Sequence, residues 1–160
     1  MKKLSFLVFF FFLTVTAFSQ IRVTVIPFIN TSGNMKFNKF NLMLQDSLQK
    51  SFIAKFNGTE KTVFVPFDSV EAVLTGMNVD PSNPQYLSDM WKAIKKLNIQ
   101  KVVSGDFNYE ADKFLINASI IKVSSKLPDN IFKVQDLFYN EDKIFDCIKV
   151  IVDGLSGSFQ

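Results

Sequence analysis

The side chains that could carry chemistry are few. The chain has one cysteine, Cys147, and no histidine, so the commonest general base and the commonest metal ligand are both missing. A cysteine nucleophile needs a neighbouring base or cation that favours the thiolate. Cys147 also falls within a predicted C-terminal helix, next to its apolar stripe, and we therefore expect a small buried side chain there. A lone cysteine also excludes an internal disulfide.

Acidic residues provide the next candidates. Asp106, Glu110 and Asp112 surround the predicted tip of a hairpin, where clustered carboxylates could hold a hard cation. Three acids at such a tip are more often turn formers and solvated charges, and we favour that interpretation. Asp68 and Glu71 have the spacing of a capping box, so we expect them to cap a helix rather than to form an acid–base pair. The sequence thus predicts no catalytic residues, no metal site and no cofactor, and we expect the protein not to be an enzyme.

The best candidate for a binding site is a polar turn formed by Asn30, Thr31, Ser32 and Gly33. Short polar side chains and a glycine are typical of turns. This turn comes just after the first predicted strand, and α/β sheets often place ligands beyond strand ends. A turn that only forms the loop explains the same residues equally well, and both interpretations remain open here.

Hydrophobic periodicity predicts the order β-α-β-α-α-β-β-β-α. Apolar residues at steps of three and four predict the first helix: Phe37, Phe40, Leu44, Leu48, Phe52 and Phe56. A third helix has a predicted apolar face of Leu87, Met90, Trp91, Ile94 and Leu97. A short last strand is predicted over residues 131–134, and a final helix from about residue 140 to residue 155.

The longest predicted strands cover residues 101–108 and 113–123. Only four residues separate them, which predicts an antiparallel hairpin and excludes a purely parallel sheet. Gly105 inside the first of these strands indicates a bulge or a close backbone approach. The expected fold is a single α/β domain over residues 20–160, a sandwich of a mixed sheet with helices packed on it.

Residues 1–19 have the parts of a signal peptide: a short basic start, an apolar run, and the small residues Ala17 and Ser19. The alternative is an uncleaved membrane anchor. A membrane-spanning helix needs about 20 apolar residues, and this run has about fifteen. We therefore expect cleavage between Ser19 and Gln20, with no transmembrane helix in the mature chain.

The charge balance gives little support to a nucleic-acid partner. The net charge is +3, with 18 basic and 15 acidic residues. Binding of a polyanion is usually accompanied by a strongly basic patch or stripe. Lys92, Lys95 and Lys96 lie close to Trp91 in the sequence, but a solvated helix face explains them better. We expect no nucleic acid among the partners.

Three stretches resemble a known family. They are Val-Ile-Pro-Phe-Ile-Asn-Thr-Ser-Gly over residues 25–33, Phe-Asp-Ser-Val-Glu-Ala-Val-Leu-Thr-Gly-Met over residues 67–77, and Leu-Asn-Ile-Gln-Lys-Val-Val-Ser-Gly-Asp over residues 97–106. In this order they resemble the amino-terminal domain of TolB and its relatives. Those relatives include the curli-secretion channel lipoproteins, the lipoprotein activators of penicillin-binding proteins and flagellar outer-membrane accessory proteins.

The resemblance implies an exported, non-enzymatic domain of the bacterial cell envelope. Its partner would be another envelope protein, or itself by self-association, and its location the periplasm, the outer-membrane surface or the medium. The lipid-anchored relatives have a cysteine where this chain has Gln20, and no predicted strands remain for the extra hairpins of the channel members. The alternatives are an oligomeric component of a secretion or assembly complex, and a small-ligand binder or enzyme of unknown type.

Overall fold

A mixed β-sheet with helices on both faces forms the described part of the molecule, residues 20–77, 79 and 85–160 of a computed structural model. The predicted α/β sandwich is therefore confirmed. The predicted signal peptide, residues 1–19, and the loop at residues 80–84 lie outside the described residues.

The six-stranded sheet has the order β3-β1-β4-β5-β6, and β2 pairs with β4 beyond the end of β1. The strands are β1 (Ile21–Val25), β2 (Ile29–Asn30), β3 (Thr62–Phe64), β4 (Lys101–Glu110), β5 (Lys113–Lys122) and β6 (Leu127–Tyr139). β1 runs parallel to β3 and β4, whereas β5 is antiparallel to β4 and β6. The predicted hairpin is thus the β4–β5 pair.

Helices cover both faces of the sheet. They are α1 (Lys39–Phe56), α2 (Phe67–Gly76), α3 (Tyr86–Lys96) and α4 (Cys147–Leu155), with 3₁₀ turns at Met35–Phe37, Glu141–Asp146 and Ser156–Phe159. The final helix was expected from about residue 140, but its first part is 3₁₀. Such tightening is frequent at helix ends.

Each face of the sheet has its own hydrophobic core. One core combines the stripe of α1 with the buried side of α4, so the predicted stripe is confirmed from Phe37 to Phe52, with Phe56 partly buried against it. The other core combines α2 and α3 with residues such as Val102 and Val123. This second layer is the smaller one. Beyond Val102, the residues of β4 on this face of the sheet are polar and half-exposed, beginning with Ser104.

Two sequence predictions are wrong at the local level. The last strand was expected over four residues, but β6 has 13. Irregularities in its pairing with β5 disturb the alternation of side chains, so periodicity detects only part of the strand. The capping box is also absent: α2 begins at Phe67, its N-cap is Pro66 and no side chain caps it. Asp68 lies in the first turn, where a negative charge interacts favourably with the helix dipole.

Candidate functional site

A crevice lies beyond the carboxyl end of β1, and we call it the switch-point crevice. β1 continues through β2 to α1 on one face of the sheet, whereas β3 leads to α2 on the other face. Where neighbouring parallel strands send their connections to opposite faces, a gap opens that commonly holds ligands. Its volume is ≈ 270 Å³. Its walls are residues 26–30, Asn41 of α1, Phe67 of α2, and Tyr86, Leu87 and Met90 of α3.

The local sequence explains why the strand breaks here. Val25 pairs with Val103 and Ile29 pairs with Asp106, so this strand has one residue more than β4 over the same length. The extra stretch contains Pro27, which has no N–H for the ladder. The next N–H, that of Phe28, donates to the backbone oxygen of Asn41 at 3.1 Å. The break therefore directs the chain toward α1 and separates β1 from β2.

Asn41 lines the crevice, and among the described lining residues it alone has a buried side-chain polar atom without a hydrogen-bond partner. Its side-chain Oδ1 is buried and accepts no hydrogen bond there, although its backbone oxygen is bonded to Phe28. Most buried polar atoms in folded proteins are paired, and an unpaired one calls for an explanation. The sequence reasoning missed Asn41, because an asparagine in a helix carries no signal without its neighbours.

Two large apolar side chains remain exposed on the crevice. Ile29 is 53% exposed and Leu87 is 61% exposed. Leu87 belongs to the predicted apolar face of the third helix, but this side chain is not part of the core. α3 packs on the sheet through Met90, Ala93 and Ile94, and Leu87, close to its start, lines the crevice instead of the core.

The crevice has no formally charged side chain among its described lining residues. Tyr86 is the one titratable group there, and burial, followed by the negative charge of Glu71, raises the pKa of its phenol. The phenol therefore stays protonated well above neutral pH. An uncharged, mainly apolar wall favours binding of an apolar group over proton transfer.

The predicted binding turn adjoins this crevice, but only Asn30 lines it. The Asn30 amide nitrogen donates to Asn34 O at 2.9 Å and to Asn38 Oδ1 at 2.8 Å. Its Oδ1 accepts from the N–H of Ser32 at 3.0 Å and from the Ser32 hydroxyl at 2.6 Å. Asn30 is thus the centre of a hydrogen-bonded turn.

The other turn residues are also engaged locally. Thr31 donates to Phe107 O through its N–H at 2.8 Å and its hydroxyl at 3.0 Å. Gly33 has φ +72°, a conformation that glycine adopts readily. These contacts account for the residue types as turn formers. A binding role for Asn30, Thr31, Ser32 and Gly33 stays a prediction.

The remaining chemical candidates lie apart from the crevice lining. Cys147 is fully buried, as expected, and burial, followed by the negative charge of Asp146, raises the pKa of its thiol to about 12. Asp106 accepts a hydrogen bond from Asn117 at 2.9 Å, and Asp112 has the positive φ of a turn residue. No three acidic or cysteine side chains within residues 20–77, 79 and 85–160 form a group that could hold a metal ion.

A second groove, of ≈ 660 Å³, lies at the opposite end of β1, near Phe56 and Phe159. It has the larger volume, but Glu60 and Lys61 line it and no unpartnered buried side-chain atom of the described chain belongs to it. The carboxyl ends of the parallel strands lie at the other end of the sheet, beside the switch-point crevice. For these reasons we regard the switch-point crevice as the candidate site.

Among the residues described, no helix has the length and apolar character needed to cross a bilayer.

Comparison with known proteins finds similarity to solved structures only. No family model and no curated protein sequence matches the chain. The LpoB C-terminal domain from Salmonella enterica has a TM-score of 0.52 at 12% identity, covering 76% of this chain and 83% of that one. The domain from Escherichia coli has the same TM-score and coverage at 9% identity. Lipoprotein GNA1162 from Neisseria meningitidis has a TM-score of 0.51 at 11% identity, covering 87% and 99%. The chain therefore has a fold that occurs in bacterial envelope proteins.

Proposed function

We propose that this chain is a non-enzymatic accessory or adaptor protein of the bacterial cell envelope. It is exported, cleaved between Ser19 and Gln20, and binds another envelope protein. The observation that carries the proposal is the switch-point crevice, whose described lining residues are uncharged and mainly apolar, with Ile29 and Leu87 exposed on it. Two similarities support a location in the cell envelope. They are the shared fold with LpoB and lipoprotein GNA1162, and the sequence resemblance to the TolB amino-terminal group.

Binding rather than catalysis fits the chemistry of the site. The chain has no histidine, and its cysteine is buried with a raised pKa, so a thiolate nucleophile is disfavoured. Among the described residues that line the crevice, none is a charged acid or base. The side chains of the crevice can bury apolar surface and form hydrogen bonds, and these are the interactions that stabilise protein interfaces.

The two exposed side chains suit a protein partner. Burying the remaining exposed area of Ile29 or Leu87 would contribute about 1 kcal/mol each. Large apolar side chains around a pocket often provide the central contacts of an interface.

Site-specific photo-crosslinking in intact cells tests the proposal. A photoreactive amino acid replaces Leu87 in one strain and Val150 in the other. Val150 is the matched control, because it is an apolar residue, 41% exposed, on α4 and hence on the opposite face of the sheet. The proposal expects a discrete adduct from position 87 with an envelope protein that mass spectrometry identifies and that binds again in purified form.

Equal labelling from both positions, or no adduct at position 87, would contradict the proposed function. An adduct between two copies of this chain would support the alternative of an oligomeric assembly component. The mass of the purified protein by size-exclusion chromatography with light scattering then decides between these two, since an adaptor is expected to be monomeric without its partner.

A further inference from the structure

We infer that the outer side of α3 binds the surface of a membrane that contains anionic phospholipids. The contact surface, which we call the basic surface, consists of Trp91, Lys92, Lys95 and Lys96 of α3 and Lys126 of the β5–β6 turn. The inference rests on the proposed function for its location, because phospholipid bilayers are accessible to a protein of the cell envelope. It concerns a second surface, whose residues do not line the switch-point crevice.

α3 has one side on the sheet and the opposite side in solvent. Its buried residues are Met90, Ala93 and Ile94. Residues three and four positions apart are neighbours on the surface of a helix. The exposed lysines of α3 have this spacing and therefore lie together on its outer side: Lys92, Lys95 and Lys96.

The fold brings a fourth lysine to this surface from a distant part of the chain. The Lys126 ammonium lies 5.9 Å from the centre of the Trp91 ring. Lys126 is exposed, and residues 123–126 of its turn contain no acid. The sequence alone favours a solvated helix face for the lysines of α3, because nothing in it connects them with Lys126. In the structure, two separate segments form one positively charged surface.

Little negative charge opposes these ammonium groups. Asp89 is the one acidic residue of α3, and its side chain is 13% exposed and pairs with Lys92 at 2.8 Å. Lys95, Lys96 and Lys126 form no ion pair with another described residue. Together, Asp89 and the four lysines have a net charge of +3, the same as the whole sequence. The remaining charges of the sequence therefore cancel, and the excess positive charge belongs to this surface.

The composition and shape of the basic surface favour a bilayer over other anionic partners. Clusters of about four or more lysines attract anionic lipid headgroups, and tryptophan is enriched where a membrane meets water. Trp91 is half-buried, so part of its ring is accessible beside the lysines. The basic surface lines neither of the two grooves described above, so those grooves give it no cleft for a peptide or a single nucleic-acid strand. An exposed helix side of this kind suits an extended, flat partner.

Co-sedimentation of the protein with lipid vesicles tests the inference. The probes are vesicles of phosphatidylcholine alone and of phosphatidylcholine mixed with phosphatidylglycerol. We expect binding to the mixed vesicles only, and weaker binding as the salt concentration rises, because salt screens the attraction. Trp91 is the only tryptophan of the chain, so the fluorescence emission of the bound protein should shift to shorter wavelength.

A triple variant removes three charges from the basic surface: Lys95→Gln, Lys96→Gln and Lys126→Gln. One lysine close to an anionic bilayer changes the partition coefficient about fivefold, so the triple variant should bind the mixed vesicles about a hundredfold more weakly. Its melting temperature should stay close to that of the unmodified protein, because all three side chains are exposed.

The matched control removes the same charge at exposed positions outside α3 and the β5–β6 turn: Lys113→Gln, Lys143→Gln and Lys149→Gln. The two triple variants have equal net charge, so a general attraction between the whole protein and the vesicles would weaken equally in both. We expect the control to bind the mixed vesicles as the unmodified protein does.

Four results of the vesicle experiment would overturn the inference: equal binding to phosphatidylcholine alone, no binding to the mixed vesicles, unchanged Trp91 emission in the bound protein, and equal losses in the two triple variants. Tighter binding of a double-stranded DNA or a polyglutamate peptide through the same lysines would also overturn it, because the surface would then serve another class of partner. In each of these cases an envelope adduct from position 87 would leave the proposed function standing. Specific vesicle binding without that adduct would instead contradict the proposed function alone.

Discussion

The ring of Phe28 lies directly against the backbone of Gly105. A Cβ atom built on Gly105 would come within 2.2 Å of Phe28 Cε1, far inside any normal contact. Phe28 is buried in the core and also lines the switch-point crevice. The missing side chain on β4 therefore provides the space that holds Phe28 at the break between β1 and β2.

Gly105→Ala is expected to destabilise the protein by about 1–3 kcal/mol, the usual effect of overpacking, because neither the buried ring nor the strand backbone can move freely. Urea unfolding measures the change. Adding Phe28→Leu to Gly105→Ala should partly restore the lost stability, since the leucine is shorter than the phenylalanine that opposes the added methyl group. Gly76→Ala is the matched control: nothing lies within 4 Å of the added Cβ, so its stability should be equal or slightly higher. Equal effects of the two alanines would contradict the close approach.

Phe159 anchors the last 3₁₀ turn in the main core. Its side chain is 1% exposed, and its ring centroid lies 5.4 Å from those of Phe52 and Phe64. The Thr62 hydroxyl donates to Phe159 O at 2.8 Å. Phe159→Ala is expected to lower the free energy of unfolding by about 3–5 kcal/mol through the cavity that it leaves. Phe138→Ala, at an exposed phenylalanine, is the control and should have a much smaller effect in the same denaturation experiment.

Acid should weaken two ionic contacts. The backbone N–H of Ile131, followed by the Lys122 ammonium, lowers the pKa of Asp129, and the hydrogen bond and charge of Lys55 lower the pKa of Asp153. A lowered pKa in the folded state means that folding favours the carboxylate. The resulting stability is present above the ordinary aspartate pKa of 3.8 and is lost as the pH falls through the lowered values.

Thermal unfolding between pH 7 and pH 2 measures this loss. Asp129→Asn should reduce stability at pH 7, and the difference from the unmodified protein should shrink toward pH 2. A difference that stays constant with pH would show that the Asp129 charge is not involved.

The turn at Asn30 gives the prediction that separates a binding role from a structural one. Asn30→Ala removes the acceptor for Ser32 and the donor to Asn38, so we expect a loss of about 1–3 kcal/mol in the free energy of unfolding. Asn38→Ala, which removes one of these bonds, should have a smaller effect. If Asn30→Ala keeps its stability but loses the crosslinked partner, the predicted binding role of the turn is supported.

The amino-acid sequence determined the elements whose signals are local. The stripe of α1 and the β4–β5 hairpin were predicted because residues that meet on one helix face or in one hairpin are close in sequence. Gly105 was also informative, since a glycine inside a strand already indicates a close approach. The exclusion of histidine chemistry needed only the composition.

The tertiary structure alone decided the candidate site. The walls of the crevice come from the β1–β2 break and from α1, α2 and α3, which are far apart in sequence, so no local pattern brings them together. Leu87 fits the helical stripe but lines the crevice, because the packing of α3 on the sheet determines which part of that stripe is covered. Asn41 became a candidate only when the fold buried its Oδ1 without a partner among the described residues. Burial and pairing depend on contacts between distant segments, and the sequence does not reveal them before those segments have packed.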